Sequence, residues 1–312
     1  WLYAAKDRFR SCYRRNGSHA TTAGNETALN NDRNCKLITP VPTPARHLLN
    51  STKLRRLVLD MAYAGSTVHI GCAFSIIEIL CVLYRDYLRY PDNNPQGMDR
   101  DYLVLSKGHG VMAQYACMHE LGWLTSHALS NYFANGSDLK GLSDSRVPGL
   151  EVTSGSLGHG FSVGVGMAMG AKLKGTDQKT YALVGDGEIN EGPIWEGALF
   201  AAHHDLDNFM LIVDENNFQA MGQTQDILRL GSIQSKFDSF GFESITVDGH
   251  DEIAINHTIQ QLWSSGSKAP KALIAKTIKG RGVPFMENNN LWHYTRLTSE
   301  TYASALSALK EN

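Results

Sequence analysis

Two oxygen-bearing side chains, Asp186 and Asn216, stand 30 positions apart in a chain of 312 residues. A carboxylate, an amide and nearby backbone carbonyls are hard donors. They make half of a site for Mg²⁺ or Ca²⁺ that water and a ligand's phosphates would complete. Gly185 and Gly187 flank the aspartate without a Cβ, so the backbone there can approach a bulky anion. The segment therefore suits a metal–diphosphate complex better than a free metal, although Gly185-Asp186-Gly187 alone also reads as an ordinary turn with a solvated carboxylate. His69 (in 65–71) and His109 (in Ser106-Lys107-Gly108-His109-Gly110) each occupy a glycine-flanked loop directly before a helical pattern. One loop histidine is ordinarily a surface residue. Two in matching positions, beside a diphosphate-type site, point to a shared ligand cleft.

The elements that must position these groups follow from the apolar pattern. Short apolar runs at 181–184 and 209–213, bounded by turn residues, read as buried parallel strands with a helix through 195–204 between them. In open α/β sheets ligands bind outside the carboxyl ends of such strands, where Asp186 and Asn216 lie. Upstream, Leu54, Leu57, Val58 and Met61 recur at helical spacing behind a cap at Asn50 or Ser51. A second helix is expected over 76–84, capped by Ser75, then a strand at 102–105 and a helix over 111–121. Residues 125–150 read as loop with one short helix. Downstream, helices near 232–240 and up to 263 alternate with strands at 244–247 and 272–277. This rhythm predicts an α/β fold with one doubly wound, mostly parallel sheet and helices on both faces, spanning 46–312.

Gly185-Asp186-Gly187, the Glu191-Gly192 pair and Asn216 together resemble the signature of thiamine diphosphate-dependent enzymes. The loops at His69 and His109 resemble transketolase, over about 48–300. The resemblance implies that Asp186, Asn216 and the carbonyl of Phe218 hold the metal, Mg²⁺ or Ca²⁺. It implies that Gly185, Gly187 and Glu188 lie at the diphosphate, that His69 meets the reacting end of the donor sugar, and that His109 meets diphosphate and substrate. Gly155, Ser156 and Leu157 would lie against the aminopyrimidine ring, with the glycine-rich helix behind them at a subunit interface. His293, after Gly280-Arg281-Gly282, falls where the family places a histidine on the cofactor phosphate. Glu191 and Glu196 match interface glutamates of the family, sharing a helix face; as plain sequence they are also a solvated acidic first turn.

The totals set outer bounds. Hydrophobic residues are 42% and charged residues 19%, and the net charge of −2 gives no reason to expect nucleic acid or a membrane as partner. No apolar run approaches a membrane span. The five cysteines (12, 35, 72, 81 and 117) show no C-x-x-C spacing and read as thiols of a reducing, cytoplasmic compartment. Residues 1–45 are polar and irregular, an expected arm or tail whose basic residues (Lys6, Arg8, Arg10, Arg14, Arg15) are solvated. Sequons at Asn16 and Asn25 are short enough to arise by chance. The chain opens on Trp1, so the true start and a targeting segment remain open.

The resemblance is to the amino-terminal, diphosphate-binding half of transketolase. It implies a subunit of a split enzyme that transfers a two-carbon ketol unit between ketose- and aldose-type substrates. Such a subunit would act only with a carboxy-terminal, pyrimidine-binding partner, as a heterotetramer. One departure stands out: where the family has a Gly-His-Pro segment touching substrate hydroxyls, this chain has Gly141-Leu142-Ser143. Leucine removes a hydrogen-bonding group and adds apolar surface, so a substrate other than a standard pentose phosphate is expected. Other readings are the α-subunit of a 2-oxo acid dehydrogenase, a 1-deoxyxylulose-5-phosphate-synthase-like enzyme, or a non-catalytic assembly partner.

Overall fold

The computed structural model describes residues 46–311, so the expectations for the amino-terminal arm, its basic residues, its two sequons and Cys12 and Cys35 lie outside the described residues. Five strands form one parallel sheet: β1 (Tyr102–Leu105), β2 (Thr180–Gly185), β3 (Phe209–Glu215), β6 (Glu243–Asp248) and β7 (Lys271–Lys276), in the order β1-β2-β3-β7-β6. A two-residue hairpin pair, β4 (Phe218–Gln219) and β5 (Gly222–Gln223), follows β3. The chain steps outward from β1 to β3, leaves for the far edge at β6, and returns beside β3 as β7. That reversal opens a crevice at the carboxyl ends of the strands.

Alternation along each central strand sorts side chains to two faces. Tyr181, Leu183, Met210, Ile212, Leu273 and Ala275 pack into one hydrophobic core. Ala182, Val184, Leu211, Val213, Ala272 and Ile274 pack into a second. A period of two in strands buried on both sides is what a sheet with helices on each face requires. The first core holds α1 (Ser51–Ala64), α2 (Ile70–Phe74), α3 (Ile77–Val82), α4 (Val111–Glu120), the short α5 (Ser126–Ser130), α10 (Glu252–Ser264) and α11 (Ser299–Glu311). The second holds α6 (His159–Lys174), α7 (Gly192–His203) and α9 (Ile233–Ser239); α8 (Thr224–Ile227) is a single turn after the hairpin. No helix is long and apolar enough to cross a membrane among the described residues.

Two expectations change. The helix expected over 76–84 is present as α3, which runs on into a wide helical turn at Leu83–Tyr87, but Ser75 does not cap it: Ser75 closes α2, which starts at Ile70 directly behind His69. Ser75 has helical backbone (φ −63°, ψ −22°) instead of the extended conformation of an N-cap, and its hydroxyl donates to Asp214 Oδ2 at 2.7 Å. Asn50 does cap α1, accepting from Lys53 N. The second strand also runs two residues further than its apolar run, carrying Asp214 and Glu215 inside β3.

Candidate active site

Strands β2 and β3 pair with Gly185 opposite Asp214, so Asp186 and Asn216 emerge from adjacent tips. Asp186 is 2% exposed. Its carboxylate accepts from Gly187 N at 2.7 Å and Asn217 N at 2.6 Å. Among the described residues no lysine or arginine forms an ion pair with it. Burial first, then the neighbouring Asp214 charge, lifts its pKa to about 7. Asn216 is buried as well, and its Nδ2 donates to Asp214 Oδ2 at 2.7 Å while Phe218 N donates to its Oδ1. Its amide is therefore oriented, with oxygen and nitrogen distinguishable by their partners.

Behind these groups lies a charged knot that sequence reading missed. Asp214, fully buried, accepts from Lys107, Ser75, Thr277 and Asn216. The Lys107 ammonium beside it holds the Asp214 carboxyl below its ordinary range against the opposing effect of burial. A usable signal existed: a charge ending a wholly apolar strand must find a partner in the fold. Lys279 was missed too. It is fully buried, and its Nζ donates to His293 Nδ1 at 2.7 Å and Asn290 Oδ1 at 3.0 Å, above the Phe218 ring at 5.6 Å. No carboxylate of the described residues pairs with it. Burial lowers its pKa.

The three predicted histidines converge. Ring centroids of His69 and His109, and of His69 and His293, are 5.3 Å apart, and those of His109 and His293 are 5.8 Å apart. Burial, reinforced by the lysine charges, pushes all three downward, His293 to about 3, so the imidazoles are neutral near pH 7. Because an ammonium can only donate, His293 Nδ1 is an acceptor and its proton sits on Nε2. His69 holds φ at +70° as the residue capping α2, a left-handed conformation unfavourable to a side chain. Its N–H donates to His293 O at 3.1 Å, tying the first and last histidine loops together.

Gly155 and Ser156 lie exposed and Leu157 half-buried, on a loop stitched to β1 by the Ser154 hydroxyl, which donates to Leu105 O. Glu188 accepts from Ser106 Oγ at 2.5 Å, Gly158 N at 2.8 Å and Gly185 N at 3.2 Å. It joins three site loops, and its oxygens are engaged by the frame. Glu191 and Glu196 are exposed on α7, the first as its N-cap residue. Leu142 is 41% exposed, with its Cδ1 3.0 Å from where a Cβ on Gly155 would stand.

The donor set can be tested against a metal–diphosphate group. Among the described residues no cluster of three or more His, Cys, Asp or Glu is arranged to hold a metal. A site with one carboxylate, one amide and a carbonyl would need a ligand's oxygens to fill it. Here the carboxylate lacks a cation and is neutralised by protonation near pH 7, while Lys279 lacks an anion. A Cβ on Gly187 would stand 2.7 Å from Gln219 Cβ, so only glycine leaves that turn its shape. A divalent cation on Asp186 and a diphosphate near Lys279 would satisfy both groups.

Residues 47–310 match the family model described as transketolase, thiamine diphosphate binding domain. The chain is 37% identical over 263 residues to the apulose-4-phosphate transketolase subunit of Phocaeicola vulgatus, covering 84% of this chain and 93% of that protein. It is 35% identical over 259 residues to 6-deoxy-6-sulfo-D-fructose transketolase subunit SqwG of a Clostridium species, covering 83% and 94%. Among solved structures, transketolase from Campylobacter jejuni superposes with a TM-score of 0.78 at 32% identity, over 83% of this chain and 42% of that one.

Proposed function

The chain belongs to the transketolase family, and we propose that it is the diphosphate-binding subunit of a two-chain enzyme transferring a two-carbon ketol unit between sugar-type substrates. One observation carries this: a buried, unpaired carboxylate and an oriented amide at neighbouring strand tips, with three neutral imidazoles gathered beside them. Asp186, Asn216 and the Phe218 carbonyl would hold Mg²⁺ or Ca²⁺. Gly185, Gly187, Lys279 and His293 would receive the diphosphate, and Gly155, Ser156 and Leu157 would line the pyrimidine side. When bound, thiamine diphosphate supplies the carbon nucleophile and electron sink that ketol transfer needs.

The chain's own residues hold, orient and exchange protons. Neutral His69 and His109 offer ring nitrogens that can accept or donate at a sugar hydroxyl, and His293 presents Nε2–H, its other nitrogen being held by Lys279. Glu188 keeps the three loops in register. Exposed Gly155, Ser156, Glu191 and Glu196 offer a face to a partner that carries the pyrimidine-binding domain and its activating glutamate, in a heterotetramer. The naming of the relatives as subunits supports a partner chain. Cys72, Cys81 and Cys117 are free and buried, in keeping with a reducing cytoplasm.

Leu142 against Gly155 gives the substrate entrance an apolar wall. We place there a substrate less polar at that position than a standard pentose phosphate. The test is product analysis with the pyrimidine-domain chain present. Ketol transfer from ketose to aldose is expected, whereas CO₂ release with acyl transfer or decarboxylative condensation would overturn the assignment.

A further inference from the structure

A second charged network lies outside the site. The Arg55 guanidinium, on α1, grips Glu78 of α3 with both ends, at 2.6 Å and 2.8 Å. Glu78 Oε2 is also 3.0 Å from His250 Nδ1, and His250 Nε2 accepts from Ile278 N at 2.8 Å. That acceptor role leaves the ring proton on Nδ1, donating to Glu78. Arg55 returns to the same segment, its Nε donating to Arg281 O at 2.9 Å. Between these anchors Gly280, with φ of +81°, donates to Gly71 O at 3.2 Å. Residues 278–281 are thus pinned at Ile278, Gly280 and Arg281, and Lys279 stands between the first two anchors.

Such an arrangement is elaborate for a surface loop, and burial of Arg55 and Glu78 at 6% exposure each adds a desolvation cost that a well-packed apolar pair would avoid. What it delivers is a fixed backbone under one buried ammonium. We infer that His250 is a positioning residue. Through Glu78 and Arg55 on one side and Ile278 on the other, it sets where Lys279 Nζ stands and so which nitrogen of His293 faces the diphosphate. The inference rests on the proposed diphosphate site for its functional meaning, but its structural half stands without it. His250 touches neither cofactor nor substrate in this scheme. Its effect is transmitted wholly by the strap it holds.

The test uses the full chain and inorganic pyrophosphate with Mg²⁺, a probe that asks only for residues of this chain. In His250→Ala, pyrophosphate should bind about tenfold more weakly, the scale of one misplaced charge-assisted contact. His250→Gln, whose amide can both donate to Glu78 and accept from Ile278, should restore most of that loss. Lys279→Met should lose as much as His250→Ala, and the double variant no more than either single one, because both act through one ammonium. Additive losses, or no rescue by glutamine, would overturn the inference. A tautomer measurement by ¹⁵N NMR on the cofactor-free chain separates this from the site proposal. Wild type should show His293 protonated at Nε2, and His250→Ala should show a mixture. An unchanged His293 tautomer refutes the positioning role, whereas failure of wild type to bind pyrophosphate refutes the site reading instead.

Discussion

Asp186 carries a conflict that a ligand can resolve. Its carboxyl has an ordinary pKa of 3.8 and stands at about 7 in the fold, so the cofactor-free native state holds a proton the unfolded chain releases. Its contribution to stability is complete below about 4 and lost as pH rises through 7. A divalent cation needs the ionised form, so Mg²⁺ with pyrophosphate should bind more tightly as pH rises from 5 to about 7 and level off above. Calorimetry over that range checks it, and a flat profile would contradict it. His293 works the other way. With its pKa lowered from 6.5 to about 3, it favours the native state above 6.5 and withdraws that support as pH falls towards 3. Urea melts of the cofactor-free chain should therefore show stability falling on the acid side, and His293→Gln should flatten that limb. His69 adds a third case. Its left-handed backbone predicts that His69→Gly folds about 1–2 kcal/mol more stably than His69→Ala, and equal urea midpoints would refute strain there. At this scale Asp186, His69 and His109 stood out in the sequence by type and by glycines close by, and the structure gathers the two histidines with His293. Asp214 gave one hint, a charge ending an apolar run, whereas the meaning of Lys107 and Lys279 comes from burial and from partners that a linear pattern does not display.

The strand–turn–helix units were readable because buried parallel strands are continuous apolar runs and their turns are glycine-marked. Strand β3 outran the expectation because Asp214 and Glu215 keep pairing with Ala275 and Lys276 on β7. The helix expected over 76–84 formed, but its cap was misplaced because an additional short helix, α2, runs up to Ser75 and leaves it in helical backbone. Helix α11 and the β4–β5 hairpin carried weaker patterns and were not foreseen. Gly160 of α6 backs onto Ser106, the residue that follows β1, and not onto another helix. A Cβ there would stand 2.8 Å from Ser106 Cα, pressing the helix off the end of β1. Gly160→Ala should cost about 1–3 kcal/mol in urea denaturation. Because Phe161 N donates to Ser106 Oγ, which in turn donates to Glu188, the same change should loosen the loop at 155–158. Gly166 and Gly170 have open space around them, and alanine at either should be tolerated; a matching loss there would mean that close approach is not what selects glycine in this helix.

Taken whole, the molecule is a frame that brings one sheet's carboxyl ends, a knot of buried charge and three neutral imidazoles to a single crevice. The chain spans 42% of the transketolase from Campylobacter jejuni and 93% of the apulose-4-phosphate transketolase subunit from Phocaeicola vulgatus. With a pyrimidine-domain partner, ketol transfer should appear, and either chain alone should give none above background. The measurement that bears most directly on the central claim is calorimetric titration of thiamine diphosphate into wild type and Asp186→Asn, each with and without Mg²⁺, in the presence of that partner. The expected result is saturable binding by wild type that requires the metal, and a loss of at least about tenfold in the variant, as follows when a charged ligand to a cation is removed. Binding of equal strength in wild type and variant, or indifference to Mg²⁺, would contradict it.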